Sequence, residues 1–423
     1  MSDAHTDEPS ERPAAPTRRP KRRGRGKKKH TVAYVLLSSL VVLALVTGLS
    51  VVYFYRSLSG NLNVVDVMGE VDNTPEKVKV EGPKQPINVL VMGSDTREGE
   101  GNQIDGEVGA AGSDTTILLH LSADRSRAYG VSIPRDSLVT RPDCGKNNEI
   151  AGGTDQMWNA AYSLGQQACT IEQFQELTHI AIDHYVVLDF NGFRDMVDAI
   201  HGVPVCIPED IEDPAHNISI PAGRRDIKGA EALSYVRVRH EVGDGSDISR
   251  ITRQQTFIAA MAKKVISGGT LARPDRLIGF LRAVTKSLTV DPGLKNLSKI
   301  GGLGVQFQSI GLDNIQFLTV PFKYDERPEF SGRVVWTPEA KSLWRKIRND
   351  EPLSKRLTSG AINAATAPGK GESPSSTESP SGSESPSGSE SPSDTTSPSG
   401  TTSPSDQESQ EAAENAAENG LCA

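Results

Sequence analysis

The feature that most constrains this chain is an uncharged apolar stretch near its N-terminus. Residues 31–55 contain no Asp, Glu, Lys or Arg. As a helix rising 1.5 Å per residue, they would span roughly 37 Å, enough to cross a hydrocarbon core about 30 Å thick. Basic residues crowd the segment just before it, residues 18–29, and such a bias keeps that end in the cytoplasm. The pattern predicts a single-pass protein of the cytoplasmic membrane, with its N-terminus inside and all residues after Arg56 outside.

Two alternatives exist for this end of the chain. A cleaved signal peptide would have a shorter apolar core followed by a small-residue cleavage site, and neither is present. The basic residues could instead bind nucleic acid, but that role requires a basic domain face. The chain as a whole has a formal net charge of −8. We therefore expect a membrane as a partner and no nucleic acid.

Composition divides the chain into five parts. A basic cytoplasmic tail (1–30) and the membrane helix (31–55) precede a linker or edge strand (56–84). A catalytic domain of ordinary globular composition follows (85–358). The remainder (359–423) is rich in Ser, Pro and Glu and has almost no large apolar residues. Because such a segment cannot offset its ordering entropy, we expect an acidic disordered tail.

Strand-like and helix-like patterns alternate through the catalytic domain. This interleaving is typical of an α/β fold, and we expect an α/β/α layered arrangement around a mixed central sheet. The predicted strands are residues 87–92, 115–121, 128–133, 184–190, 203–207, 233–240 and 314–320. The predicted helices are residues 157–164, 171–177, 192–200, 229–233, 249–266, 273–288, 294–302 and 338–348.

An arginine-rich segment, residues 229–255, carries the first chemical signal. If residues 233–240 form a strand, Tyr235, Arg237 and Arg239 share one face. Neighbouring guanidinium groups repel each other, and an anion with many oxygens would relieve that repulsion. In the helix that follows, one face carries Asp247, Arg250 and Gln254. Arg253 lies beside them on the same helix. The segment predicts a phosphate or pyrophosphate site.

A second signal is the triplet Gly-Ser-Asp, which occurs twice. Asp95 ends one predicted strand and Asp114 opens the next, so antiparallel pairing would bring both carboxylates to one edge of the sheet. A hairpin would return Arg135 to the same edge. Two carboxylates beside arginines suit Mg²⁺ bridged to phosphate oxygens. The alternative is a pair of loop-fixing ion pairs, Asp95 with Arg97 and Asp114 with Arg135.

Six ordered blocks between residues 87 and 264 resemble the LytR–CpsA–Psr family. The blocks are VLVMGSDTR (89–97), GSDTTILLHLSADRSRAYGVSIPRDSLV (112–139), WNAAYSLGQQACTIE (158–172), HYVVLDFNGFRDMVDAIHGVPV (184–205), PAGRRDIKGAEALSYVRVRH (221–240) and DISRITRQQ (247–255). One departure is visible, because the family often has Lys where this chain has Met157.

The resemblance implies a membrane-anchored phosphotransferase with an extracellular catalytic domain. Such enzymes move a glycopolymer from a polyprenyl-diphosphate lipid to peptidoglycan, or to another wall glycan, through a phosphodiester bond. The implied metal ligands, for Mg²⁺ or alternatively Mn²⁺, are Asp95 and Asp114. The implied diphosphate-binding and catalytic residues are Arg135, Arg237, Arg239 and Arg250, with Gln254 beside them and Arg97 and Arg253 at further motif positions.

Several alternatives stay open at this stage. Asp247 and Asp136 are candidate general bases, or each only orients an arginine. The same residues could hydrolyse a polyprenyl diphosphate with water as acceptor. A non-catalytic wall-binding or regulatory protein is the third hypothesis.

The four cysteines fit an exterior location. Cys144 and Cys169 flank the predicted helix 157–164 and are candidates for a disulfide. Cys206, in an apolar strand, is either a buried free thiol or the partner of Cys422.

Overall fold

The computed structural model describes residues 29–95, 112–214, 218–238, 246–267 and 273–366. The chain divides into two units, Met1–Phe54 and Tyr55–Ala423. Helix α1, Lys29–Ser59, begins in the first unit. Its segment Val32–Ser59 is long and apolar enough to cross a membrane, as the sequence predicts for this end of the chain.

The second unit contains a mixed α/β domain. In chain order its strands are β1 (Asn63–Val64), β2 (Ile87–Ser94), β3 (Ser113–Leu121), β4 (Ala128–Ile133), β5 (Leu138–Arg141), β6 (Gly153–Met157), β7 (His184–Leu188), β8 (Val203–Ile207), β9 (Ile211–Asp213), β10 (Ile218–Ile220), β11 (Gly223–Ile227), β12 (Leu288–Val290), β13 (Ile315–Thr319), β14 (Phe322–Tyr324), β15 (Val334–Trp336) and β16 (Ile362–Asn363). Its helices are α2 (Ala160–Thr178), α3 (Phe190–Ala199), α4 (Gly229–Arg237), α5 (Asp247–Ser267), α6 (Pro274–Ser287), α7 (Leu297–Ile310) and α8 (Pro338–Arg348).

Eight strands form the central sheet, in the order β1-β12-β7-β2-β3-β4-β13-β16. Strands β2, β3 and β4 pair antiparallel, whereas β7 and β13 flank them in parallel. The antiparallel pairing that the two Gly-Ser-Asp triplets predict is therefore present. It brings the end of β2, the start of β3 and the end of β4 to one edge of the sheet.

Helices cover both faces of this sheet, because its inner strands are apolar on both sides. Strand β13 shows the alternation clearly: Ile315 and Phe317 pack into one core cluster and Leu318 into the other. The first cluster includes residues of α3, α4 and α5, and the second includes residues of α2 and α8. The predicted α/β/α layering around a mixed sheet is confirmed.

The predicted strand at 233–240 is wrong, because residues 229–237 form helix α4. Its opening sequence, Gly-Ala-Glu-Ala-Leu, is rich in good helix formers. Ala232, Leu233 and Val236 are buried, and their spacing fits one face of a helix. The spacing of Val236 and Val238 fits a strand face equally, so the pattern alone does not separate the two structures. Arg237 therefore lies in the last helical turn, and Arg239 lies outside the described residues.

Other boundaries differ locally. The predicted helices 157–164 and 171–177 are one helix, α2, which is interrupted at Gly165 and Gln166. Met157 ends strand β6 instead of opening that helix. The region 56–84, predicted as a linker or an edge strand, contains the edge strand β1. The region predicted as a disordered tail contributes strand β16 and the fully buried Ala364, and residues 367–423 lie outside the described part of the chain.

The predicted disulfide between Cys144 and Cys169 is present, and the two cysteines are separated by 25 positions in sequence. Both cysteines are fully buried beside Ala161. Cys206 is also disulfide-bonded, which excludes a free thiol at this position. Cys422 lies outside the described residues.

A glycine at the centre of the sheet offers a test of how tightly β4 and β13 pack. A Cβ atom on Gly130 would lie 2.4 Å from Cδ1 of Phe317, which is itself buried. We expect Gly130→Ala to lower the free energy of unfolding by about 1–3 kcal/mol through overpacking. Thermal and urea unfolding of the purified protein measure this change.

Gly301→Ala is the matched control, because a Cβ atom there meets nothing within 4 Å and the residue lies in helix α7. This control should be neutral or stabilising by roughly 0.5–1 kcal/mol. Adding Phe317→Leu to Gly130→Ala should recover part of the loss. Equal stability of Gly130→Ala and the wild type would contradict the close contact.

Candidate active site

A β-bulge sets the direction of Asp114. Gly93 pairs with Thr115 and the next residue, Ser94, pairs with Ser113, so Asp114 is the extra residue of strand β3. Bulges at strand ends re-aim side chains and occur beside active sites. Asp114 lines an apolar cavity between the sheet and its covering helices, and its carboxylate contacts Arg135 at 2.5 Å.

Asp95 lies next to the bulge. Its backbone N–H donates to the carbonyl of Gly112, and its carboxylate accepts the Gly112 N–H in return. The phenol of Tyr162 bonds the side chain of Ser94. Burial and then the nearby charge of Asp95 raise the pKa of that phenol. These contacts fix Asp95 at the same sheet edge as Asp114, as the sequence predicts.

Arg135 lies close to three carboxylates. Its Nε atom lies 3.5 Å from an oxygen of Asp136 and 3.5 Å from an oxygen of Asp247. Burial disfavours the cationic form of this side chain, but the carboxylates of Asp114, Asp247 and Asp136 outweigh it and raise the pKa of Arg135. The surrounding carboxylates therefore favour the charged guanidinium.

Helix α5 supplies the second set of polar groups. Asp247 and Arg250 form an ion pair at 2.7 Å with the spacing of one helical turn. One turn further, Gln254 accepts a hydrogen bond from the Thr115 hydroxyl at 3.2 Å and donates one to the Val236 carbonyl at 3.0 Å. Gln254 thus connects α5 to both β3 and α4.

The end of helix α4 presents Arg237. Its guanidinium carbon lies 4.6 Å from the ring centroid of Phe190, a cation–π distance. Phe190 opens helix α3, whose N-terminal Asp189 accepts a hydrogen bond from Gly192 at 2.7 Å. A rigid aromatic surface therefore holds the guanidinium at the margin of the cavity.

The cavity itself has a volume of about 220 Å³ and lies between the central sheet and helices α3, α4 and α5. Its polar end carries Asp114, Arg237, Arg250 and Gln254. Apolar side chains form most of the remaining lining. They belong to Val91, Met92, Ile117, Leu188, Phe190, Phe193, Leu233, Val236, Phe257, Ile258 and Met261. One space therefore combines an apolar interior with two arginines and two aspartates, Asp114 and Asp189.

The structure does not place every predicted residue at this cavity. Arg97 and Arg239 lie outside the described residues. Arg253 is fully buried and donates to the carbonyl of Val238, at the end of α4, and to Ser249 at 3.4 Å. Its hydrogen bond to the Val238 carbonyl supports the end of α4.

Sequence reasoning missed Thr115, Phe190 and Tyr162. Thr115 orients Gln254, Phe190 supports Arg237, and Tyr162 holds the strand end beside Asp95. The tyrosine and the phenylalanine lie inside the quoted sequence blocks, but a single sequence carries no signal that separates them from core residues.

The residues at the sheet edge suit a magnesium ion that is shared with a phosphate ligand. No cluster of three or more His, Cys, Asp or Glu suited to a metal occurs in the described parts of the chain. Mg²⁺ rarely needs one, because it retains waters and binds through one or two carboxylates plus substrate phosphates. Asp95 and Asp114, on paired segments, would supply such a donor set.

The sequence of this chain matches that of a known protein family. The LytR_cpsA_psr family profile matches residues 54–349, well over half of the chain. The chain belongs to the LytR_cpsA_psr family. The match contains every described residue of the site, so the resemblance seen in the sequence is confirmed.

Curated members of the LytR_cpsA_psr family include wall-synthesis proteins. The chain is 32% identical over 291 residues to the cell wall biosynthesis protein LcpA of Corynebacterium glutamicum, covering 62% of this chain and 54% of LcpA. It is 28% identical over 253 residues to TagV of Bacillus subtilis, named a polyisoprenyl-teichoic acid–peptidoglycan teichoic acid transferase, covering 57% of this chain and 60% of TagV. The chain thus spans about half the length of the first of these relatives.

Solved structures show the same fold. The protein gbs0355 from Streptococcus agalactiae superposes with a TM-score of 0.53 at 22% identity, covering 64% of this chain and 90% of that one. A LytR-Csp2A-Psr enzyme from Actinomyces oris gives a TM-score of 0.50 at 21% identity, covering 68% and 96%. The layered α/β architecture is therefore that of the LytR_cpsA_psr family.

Proposed function

We propose that this protein transfers a glycopolymer from a polyprenyl-diphosphate lipid to peptidoglycan or another wall glycan, forming a phosphodiester bond. The observation that carries the proposal is the cavity, whose interior is apolar and whose polar end holds Asp114, Arg237, Arg250 and Gln254. A lipid diphosphate has the same two-part chemistry. The transferase names of relatives such as TagV support this substrate class.

The apolar part of the cavity suits the first prenyl units of the lipid. Phe257, Ile258 and Met261 of α5 line this part of the cavity together with Phe193 of α3, whose ring centroid lies 5.4 Å from that of Phe257. Burying a hydrocarbon chain there gains roughly 25 cal/mol for each Å² removed from water. Lipid burial would place the diphosphate at the polar end.

Arginines would bind that diphosphate. Arg237 and Arg250 line the polar end, and Arg135 reaches it through its contact with Asp114. Guanidinium groups bind phosphate oxygens in a bidentate manner and carry a permanent charge. Asp95 and Asp114 would hold Mg²⁺, which supplies further neutralisation of phosphate charge when bound.

The reaction would be an in-line displacement at the phosphorus next to the sugar. The acceptor oxygen bonds to that phosphorus, and the bond from phosphorus to the bridging oxygen breaks. The bridging oxygen leaves with the polyprenyl phosphate, and the acceptor proton passes to the carboxylate of Asp136 or Asp247. The arginines stabilise the charge that develops on the phosphoryl oxygens, which is the main requirement of phosphoryl transfer.

Helix α1 would anchor the enzyme in the cytoplasmic membrane. The basic residues before it favour a cytoplasmic N-terminus, which leaves the catalytic domain outside. Both the lipid carrier and the wall are accessible on that side. The disulfide between Cys144 and Cys169 suits such an oxidising location.

A defined assay tests the proposal. The full-length protein in detergent is mixed with Mg²⁺, a short-prenyl diphosphate-linked disaccharide and a soluble uncrosslinked peptidoglycan glycan. We expect mass spectrometry to show a phosphodiester-linked product and an equal amount of prenyl phosphate. Prenyl phosphate with free disaccharide phosphate in equal yield, with or without the glycan, would instead indicate a pyrophosphatase. No turnover would indicate a non-catalytic protein.

A further inference from the structure

A second, smaller cavity is lined by Asp136 and Asp247, two carboxylates beside Arg135. Its volume is about 170 Å³, and its lining includes Asp136, Ser246, Asp247 and Tyr324. Its lining therefore contains both candidate bases, whereas the lining of the large cavity contains neither.

One guanidinium group connects the two cavities. Arg135 contacts Asp114 of the large cavity at 2.5 Å through Nη1. Through Nε it lies 3.5 Å from Asp136 and 3.5 Å from Asp247, both in the lining of the small cavity. A phosphoryl group bound at Arg135 would therefore be accessible from two directions.

In-line displacement assigns different roles to these two directions, because the attacking and leaving oxygens lie on opposite sides of phosphorus. If the leaving prenyl phosphate lies in the large cavity, the attacking hydroxyl approaches from the other side. We propose that the small cavity is the acceptor site, where a wall-glycan sugar places its free hydroxyl between Asp136 and Asp247. This inference rests on the proposed function.

The lining suits a sugar. Asp136 and Asp247 line the cavity, and each is also paired with arginines, so their charge is offset. Their carboxylates can accept hydrogen bonds from sugar hydroxyls. The ring of Tyr324 is half exposed at the cavity and offers a flat apolar surface to a sugar ring. The cavity therefore combines hydrogen-bond acceptors with an apolar surface, as a sugar requires.

Neighbouring contacts fix this surface in place. Tyr324 ends strand β14, pairs with Val334 of β15, and packs edge-on against Phe322 with ring centroids 6.3 Å apart. The carboxylate of Asp136 forms an ion pair with Arg333, and its carbonyl accepts the Val334 N–H at 3.3 Å. The β14–β15 hairpin therefore holds Tyr324 and Asp136 in place, and such a pre-formed surface favours specific binding.

Steady-state kinetics of Tyr324 variants test the assignment. The full-length protein is assayed with the short-prenyl diphosphate-linked disaccharide as donor and a peptidoglycan-derived tetrasaccharide as acceptor. We expect Tyr324→Ala to raise the acceptor KM on the order of tenfold, because it removes an aromatic anchor. The donor KM and the slow release of prenyl phosphate to water should stay within about twofold of the wild type. Tyr324→Phe keeps the ring and should retain most of the affinity.

Lys323→Ala is the control, since Lys323 is on the same strand, is exposed, and does not line the small cavity. It should leave both KM values unchanged. An unchanged acceptor KM in Tyr324→Ala, or an equal rise in the donor KM, would overturn the acceptor site while leaving the transferase proposal intact. Absence of transfer by the wild type would overturn both.

Discussion

Replacing Arg237 by alanine should lower turnover of the lipid-diphosphate donor by on the order of 10²–10³, or ~3–4 kcal/mol of transition-state stabilisation. The guanidinium lines the polar end of the large cavity, and Phe190 holds it at 4.6 Å. It would therefore be positioned before the substrate binds, so little energy is spent on orienting it. Steady-state rates at saturating donor, compared with donor binding, measure the effect.

Comparison with two other variants isolates the contribution of Arg237. Arg237→Lys keeps the charge but loses the planar fork, so it should recover only part of the rate. Arg356→Ala removes a mostly exposed guanidinium that pairs with Glu339 at 2.6 Å and does not line the cavity. This control should turn over normally. Near-normal turnover in Arg237→Ala would exclude this arginine from the chemical step.

Replacing Asp114 by asparagine should raise the Mg²⁺ concentration needed for half-maximal turnover by about 10–100-fold. Losses of this size follow removal even of the groups that support a metal ligand. The bulge that directs Asp114 depends on the backbone register, which asparagine leaves unchanged. The shape of the site should therefore persist while the ionic ligand is lost. Magnesium titrations of both proteins give the comparison.

A binding measurement separates metal loss from the loss of the Asp114–Arg135 ion pair. Electron paramagnetic resonance with Mn²⁺ and inorganic pyrophosphate reports metal binding without turnover. Asp226→Asn is the control, because that carboxylate pairs with Lys264 at 3.3 Å and lies outside the cavity lining. Equal Mn²⁺ affinity in Asp114→Asn and the wild type would show that Asp114 holds Arg135 and no metal.

The parts of the site on the strands were predictable from the sequence. Asp95, Asp114 and Arg135 lie at the ends of three short-range antiparallel strands, and hairpin geometry alone brings such ends together. Asp247, Arg250 and Gln254 were predictable too, because helical spacing fixes which residues share a face.

Arg237 shows where single-sequence reasoning failed. Alternating residues predicted a strand, but tertiary packing of Leu233 and Val236 against the core stabilises a helix. The guanidinium still reaches the cavity, by a different route. Neither its partner Phe190 nor the small cavity could be predicted, because both depend on contacts between elements distant in sequence.

Strand β16 affects the tendency of the protein to self-associate. It pairs with β13 at the border of the sheet, through Ile362 and Asn363, and thereby covers backbone donors and acceptors that would otherwise recruit a strand from another molecule. Versions shortened before Ile362 should expose that border and self-associate at high concentration. Expression designs and C-terminal fusions therefore need to retain residues up to Thr366.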